Sequence, residues 1–323
     1  MALESPVSYW PTLSEFLIHW ESVEVGLGVP LVLREGDLAG GQALLLELEA
    51  AALTVVRAGL EVQGARADAA EGRVRVREGL EDFNGTVRSY WAGTPAEEVL
   101  PRLPLVGAAL DKYLRPCRDG LRIWEGLEGE PSPPGAPVPL RVGPHPGLSR
   151  GEYAALVEGE RLLGLALEEA EYQLGWQRAR RNAVMRRVRA LLMSYARTLP
   201  TRLKPGDVYL ETMPRLWPLP GHTPEAVRAA GEWVAARRVA RLTWTVSGDA
   251  GLAHYQVRGC AGPEYRKEDE AVVGTISPEG ERVLETGGML GRRGAVACYR
   301  VYVVLKTGNE RASNVVVVTA DGL

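Results

Sequence analysis

The side chains that could do chemistry in this 323-residue chain are few and scattered. Its four histidines, His19, His145, His222 and His254, lie far apart, and two of them sit in Pro/Gly-rich linkers. A metal ion needs three or four ligands brought to fixed geometry. Nothing in this spacing implies that convergence, so no metal site is expected. His19, beside Trp20, reads as a core or interface residue. No Gly-x-Ser-x-Gly, Walker loop, His-Glu-x-x-His or Cys-x-x-Cys is present. Gly288, Gly291 and Gly294 recur every third residue, but in a β-rich stretch they read as a loop. No convergent pair of acids is visible either. The chain is expected to be non-enzymatic, with no catalytic residue and no cofactor.

Charge narrows the partners. The formal net charge is −3, and only four of the 38 basic residues are lysines: Lys112, Lys204, Lys267 and Lys306. The arginine excess, with abundant Ala, Gly and Val, reads as the codon bias of a GC-rich genome. Arg178, Arg180, Arg181, Arg186, Arg187 and Arg189 form one basic cluster of the kind nucleic acid would use. Glu158, Glu160, Glu168, Glu169 and Glu171 precede it, so a solvated face or a partner's acidic helix is expected, and no nucleic acid. The start of the chain shows no basic n-region or apolar h-region. No apolar run approaches the roughly 20 residues that span a bilayer. A cytoplasmic location without a membrane span is expected. Three cysteines make no disulfide framework.

The elements that must position these residues fall into two kinds. The first 220 or so residues carry an internal repeat with a period of roughly 105 residues. Phe16–Val23 reappears as Gly120–Leu127, with Trp20 matching Trp124. Pro30–Leu33 reappears as Pro139–Val142, Ser89-Tyr90 as Ser194-Tyr195, and Leu100–Pro104 as Met213–Pro218. Each repeat reads as a short helix, a Pro-bounded extended piece and a long helix. Ser14 is the predicted N-cap of the first short helix, with Gly26 and Gly28 ending it. A further amphipathic helix is predicted over Leu105–Glu128, interrupted at Pro116.

The long segments, about Leu38 to Ala92 and about Ser149 to Leu199, carry a coiled-coil-like seam. In the first, Leu48, Val55, Val62, Ala69, Val76, Phe83 and Tyr90 recur every seventh residue, with companions Leu45, Ala52, Gly59, Arg66, Arg73, Leu80 and Val87. In the second, Leu156, Leu163, Ala170, Gln177, Val184 and Leu191 form one row. Tyr153, Glu160, Leu167, Leu174, Arg181, Val188 and Tyr195 form the other. The phase is kept through the middle, which predicts two continuous helices of about 50 residues, each roughly 75 Å long. Gly59, Gly64, Gly72 and Gly79 count against continuity, each costing about 1 kcal/mol against Ala. The centres are polar: Arg66 and Arg73 in one helix, Gln177 and Arg181 in the other. They read either as a solvated stretch or as an interface with another subunit.

From Thr223 the period becomes 2. Val239–Val246 alternates and carries Trp244; Leu252–Arg258, Ala271–Ile276 and Glu281–Glu285 follow. Tyr299, Val301 and Val303 then open a run that ends in the turn Gly308-Asn309, ahead of a second β-branched run, Val315–Val318. Short strands joined by turns predict an antiparallel sandwich. This third of the chain, about Thr223 to Thr319, resembles a fibronectin type III domain. Trp244 matches the second-strand core Trp, Tyr255 and Val257 the third-strand pattern, and Tyr299 the Tyr that opens the sixth strand. The resemblance implies that the Tyr299 hydroxyl bonds back to the backbone at the sheet corner. It also implies that the strands ending at Cys260 and beginning at Cys298 are antiparallel neighbours, so that the thiols could lie close. A cytosolic chain would keep them reduced. The connection Ala261–Glu270 is longer and more charged than a strand crossing needs and could carry binding.

The expected architecture is multidomain α plus all-β. A first helical repeat covers 1–119, a second with Pro-rich linkers covers 120–222, and a fibronectin type III-like sandwich covers 223–323. Such sandwiches host unrelated functions. The expected role is a structural scaffold that associates with itself through its helical region, as a homo-oligomer or with another protein. The alternative is a binding adaptor whose sandwich recognises a protein or a glycan.

Overall fold

The computed structural model describes residue 3 and residues 5–144 and 147–321; His145 lies outside them. A helical region is followed by an antiparallel β-sandwich. The same order of helical elements occurs twice. α1 (Pro6–Leu27), the bridge Leu33–Gly36, α2 (Leu38–Tyr90) and α3 (Pro95–Glu98) form the first series. α4 (Leu110–Glu128), the bridge Val142–Leu148, α5 (Arg150–Arg202) and α6 (Val208–Glu211) form the second.

Both long helices are unbroken, at 53 residues each. The described chain packs as two units: residues to 63 with those from 172 onward, here the mixed unit, and residues 64–171, the helical unit. In the mixed unit, Leu13, Phe16 and Trp20 of α1 pack with Leu44, Leu48 and Ala51 of α2 and with Val184, Val188, Leu191, Tyr195 and Leu199 of α5. In the helical unit, Tyr113, Leu114, Cys117 and Trp124 of α4 pack with Val76, Leu80, Phe83 and Val87 of α2 and with Tyr153 and Val157 of α5.

Several local expectations are corrected. α1 starts at Pro6 with Ser5 as its N-cap, and Ser14 lies mid-helix. Proline's fixed φ suits the first helical position, where no N–H partner is needed. Gly28 closes α1 at φ 68°, its N–H bonding Glu24 O at 2.9 Å, while Gly26 lies within the helix beneath the Tyr209 hydroxyl. α4 begins at Leu110 and runs through Pro116. Tyr113, Leu114, Cys117 and Trp124 on both sides of it are fully buried, and that burial exceeds the roughly 3 kcal/mol proline penalty. The companion row of α2 holds at Leu80 and Val87 but shifts by one position in the first half, where Leu44, Ala51 and Ala58 are buried and Ala52 is exposed. A 3.6-residue helix drifts about 20° per heptad against a strict seven-residue repeat, which turns the buried face. Tyr90 is 40% exposed while Tyr195 is buried, so the Ser-Tyr match of the repeat is one heptad out of step. Phe83 is the equivalent of Tyr195, since each packs against the Trp of the other series' short helix, Phe83 on Trp124 and Tyr195 on Trp20.

The glycines of α2 have a packing cause where the helices approach. A Cβ on Gly79 would meet the Tyr153 ring at 2.7 Å, and one on Gly72 would run into the Glu160 carboxylate. Gly59 has nothing within 4 Å. Gly59→Ala is therefore expected to stabilise the protein by up to about 1 kcal/mol. Gly79→Ala is expected to destabilise it despite the same gain in propensity. Urea unfolding of both variants checks this; equal shifts would remove the packing argument.

The sandwich has two sheets. One is β1 (Ala229–Val234), β2 (Val239–Trp244) and β5 (Val283–Thr286), in the order β1-β2-β5. The other is β4 (Ala271–Ile276), β3 (Leu252–Ala261), β6 (Val296–Leu305) and β7 (Glu310–Ala312), with β8 (Val316–Thr319) also on β6. All pairs are antiparallel. The turn at Gly308, φ +87°, leads first into β7 and then into β8. Trp244, Tyr255, Val257, Tyr299, Val301 and Val303 are all buried in the core between the sheets, as their alternation predicts. The Tyr299 hydroxyl does not bond back to the backbone: it is buried, with no hydrogen-bond partner among the described residues. Gly259 lets the Tyr299 ring lie flat on β3, where a Cβ would meet it at 2.8 Å. The backbone bond is made instead by Tyr255, whose hydroxyl accepts from the Ser247 N–H at 2.8 Å. Cys260 and Cys298 face each other in register as free, buried thiols. Burial pushes the Cys298 thiol up to about 11.

Candidate functional site: a charge network and cavity at the sandwich

Alternation along β3 sends Tyr255, Val257 and Gly259 to the core and Gln256 and Arg258 to the opposite face. That face is not left to water. Arg258 is fully buried, its guanidinium 3.8 Å from the centre of the Tyr302 ring. Its Nε donates to Gln256 Oε1 at 2.6 Å and its Nη1 to Glu270 Oε1 at 3.2 Å. Glu310 of β7 takes both Nη1, at 3.0 Å, and Nη2, at 2.5 Å. Tyr265 and Tyr302 donate their hydroxyls to Glu270 Oε2 at 2.6 and 3.0 Å. Burial works against the arginine's charge, but Glu310 and Glu270 outweigh it and its pKa is raised.

The loop Ala261–Glu270 builds this cover. It supplies Tyr265 and Glu270, its Gly262 O accepts from the Cys298 thiol at 3.1 Å, and Tyr265 lies 4.8 Å from the Arg300 guanidinium. Its 3-10 turn, Lys267–Asp269, reaches α5. Arg178 forms a two-pronged pair with Asp269, one prong at 2.6 Å, and Arg181 Nη1 donates to Glu268 O at 2.6 Å. Gln63 of α2 donates to Val296 O. The charged loop thus joins the sandwich to the helices of its own unit.

Beside this joint lies a cavity of about 480 Å³. Trp10 and Pro11 of α1, Leu53 and Val56 of α2 and Val272 of β4 give it an apolar lining, and Gln256 and Glu270 bring the network to it.

The predicted interface residues are placed as follows. Arg181 is buried and held by the sandwich loop; burial pulls its pKa down, opposed by Asp269. Arg73 is held within the helical unit by Glu160 at 3.2 Å and by Val106 O and Ala108 O, with the Tyr113 ring beneath it. Both are therefore engaged inside the chain, because the low dielectric of a packed seam demands partners for charge. Arg66 makes a half-exposed pair with Glu171 at 2.6 Å, as a solvated stretch would. Gln177 is half-buried with its carbonyl oxygen unpartnered. The basic cluster is largely matched: Arg178 by Asp269, Arg187 by Glu47, and Arg180 and Arg189 over Trp176 and Trp217.

His19 is indeed a core residue. Its Nδ1 pairs with the Tyr195 hydroxyl at 2.8 Å and its Nε2 with Tyr209 O at 2.9 Å. Burial lowers its pKa from the ordinary 6.5. A group held neutral in this way contributes stability above 6.5 that is lost as the unfolded chain's histidine takes up its proton. Stability is expected to fall as pH drops below 6.5, and His19→Gln to flatten that slope in urea titrations at pH 5 and 7. Among the described residues, no group of three or more His, Cys, Asp or Glu side chains is placed to hold a metal ion. No helix there is long and apolar enough to cross a membrane.

No family model matches the chain, and no curated protein matches it. Solved structures are similar over part of the chain, the Fn3-like one over the C-terminal β region. An Fn3-like protein from Clostridium thermocellum is 17% identical over 32% of this chain and 98% of its own, with a TM-score of 0.26. Pectate lyase PelI from Erwinia chrysanthemi is 17% identical over 29% of this chain and 28% of its own, with a TM-score of 0.25. Titin kinase with its flanking domains is 22% identical over 30% of this chain and 17% of its own, with a TM-score of 0.24. The matched stretch thus spans nearly all of the Fn3-like protein but only about a quarter of the lyase.

Sequence reasoning missed Gln256, Arg258, Glu270 and Glu310. Alternation along a strand does not distinguish a face left to water from one covered by a loop, and the signal available was the surplus of charge in Ala261–Glu270.

Proposed function

We propose that the protein is a non-enzymatic structural scaffold that associates with copies of itself through its helical region. The observation that carries this is an aromatic ridge on α5. Tyr172 and Trp176, one turn apart, are 68% and 51% exposed, and Arg180, one turn on, lies with its guanidinium 5.9 Å from the centre of the Trp176 ring. Large aromatics with arginine are the residues that dominate protein interfaces. The joint between α5 and the sandwich supports a framework role, since it ties the appended domain to the helix that bears the ridge. Free thiols at Cys260 and Cys298 fit a reducing, cytoplasmic setting.

Light scattering at about 10 micromolar, where a micromolar interface is mostly filled, is expected to give a dimer or larger assembly. The double variant Tyr172→Glu, Trp176→Glu is expected to be monomeric with unchanged circular dichroism. A monomeric parent protein would overturn the reading. It would favour a binding adaptor instead, for which the supporting observation is the edge of β4, which among the described residues pairs with β3 alone.

A further inference from the structure

We infer that the cavity between the first turns of α1, the first half of α2 and the β4 side of the sandwich is a binding site for an uncharged, mostly apolar small molecule bearing a carbonyl or hydroxyl oxygen. Its volume of about 480 Å³ lies within the roughly 300–1,000 Å³ typical of pockets that hold small organic ligands. Trp10 and Leu53, 44% and 53% exposed, line it and offer apolar surface whose burial by a ligand is favourable.

The charges around the cavity set the ligand's class. Glu49, Arg181, Asp269 and Glu270 line it. Three of these are committed to partners that do not line it. Asp269 holds Arg178, Glu270 holds Arg258 and two tyrosine hydroxyls, and Arg181 is spent on Glu268 O and Asn182. Glu49 is exposed to water. An anion would lose its hydration without gaining a free counter-charge, and a cation would meet only the water-exposed Glu49, where an ion pair contributes little, whereas a neutral ligand loses little. Gln256 adds the polar anchor. Its carbonyl oxygen accepts from Arg258, so its remaining hydrogen-bonding group is the amide NH2, a donor that matches a ligand oxygen.

The test uses the full chain and Nile red, an uncharged apolar dye with a carbonyl oxygen, followed by its fluorescence. Saturable binding at one site is expected, with displacement by 1-decanol at least about tenfold better than by decanoate, a difference of one decade in affinity. Ala52→Trp, which fills the cavity from an exposed position, and Leu53→Glu, which charges its wall, should each weaken dye binding by about tenfold or more. Trp176→Ala, on the ridge of α5, should leave it unchanged. Dye binding that survives both cavity variants in folded protein overturns the site, as does binding lost in Trp176→Ala. Displacement by decanoate equal to that by decanol overturns the ligand class.

Discussion

Arg258→Ala is expected to cost about 3–5 kcal/mol of stability, the range found when one member of a buried ion pair is removed. The guanidinium is fully buried and serves two carboxylates, Glu270 with a side chain 0% exposed and Glu310 with one 17% exposed. Without it both acids stay on a covered sheet face, and only Glu270 keeps donors, from Tyr265 and Tyr302. The cost is the desolvated charge left behind rather than the strength of any one contact. Two companion variants separate these causes. Arg258→Met keeps the packing against Tyr302 and should lose nearly as much. Arg258→Met with Glu270→Gln and Glu310→Gln should regain a large part, because no uncompensated charge remains. Urea unfolding followed by circular dichroism reads all three. A loss below about 1 kcal/mol for Arg258→Ala would mean that water reaches this network.

Trp124→Ala is expected to cost about 3–5 kcal/mol, the usual range for emptying a buried aromatic site. Trp124 is fully buried between Phe83 of α2, at 5.0 Å between centroids, and Tyr153 of α5, at 6.1 Å, both stacked. With Tyr113, Leu114 and Cys117 it packs α4 against both long helices within the helical unit. Its counterpart Trp20 packs on Tyr195 at 4.9 Å and donates its N–H to Glu24 at 3.0 Å, a carboxylate that also accepts from the Leu31 N–H. The Trp124 N–H is buried with no hydrogen-bond partner among the described residues. Trp124→Phe should therefore cost much less than Trp124→Ala, since it removes an unsatisfied donor with the volume. Trp20→Phe should lose the hydrogen bond as well. Unfolding midpoints of the three variants check this order; equal losses for the two Phe variants would sink it.

Much of the architecture was legible along the chain. The unbroken phase of Val55, Val62, Ala69 and Val76 foretold continuity through α2, because a helical hairpin would have reset it. The Trp20 and Trp124 matches foretold that one helical arrangement occurs twice. Alternation from Trp244 and from Tyr299 located the sandwich core. Where the reading slipped, the cause is local geometry overridden by packing. Pro116 did not break α4 because buried residues flank it, and Ser14 was not the cap because Pro6 already fits the first turn.

What the sequence determined by itself was periodicity, and so the class of each element and which face it buries. Periodicity depends only on neighbours along the chain. What the tertiary structure alone decided was the fate of the polar residues. Gln256 and Arg258 sit in the polar phase of a strand, which is the same string of letters whether that face meets water or a folded loop. Only the return of Ala261–Glu270 across β3 and β6, with Glu310 arriving from β7, turns them into a buried network. Arg181 reads as the polar centre of a seam until Glu268 and Asp269, almost 90 residues away, meet it. Such pairings rest on distances between remote parts of the chain, and no local pattern records them.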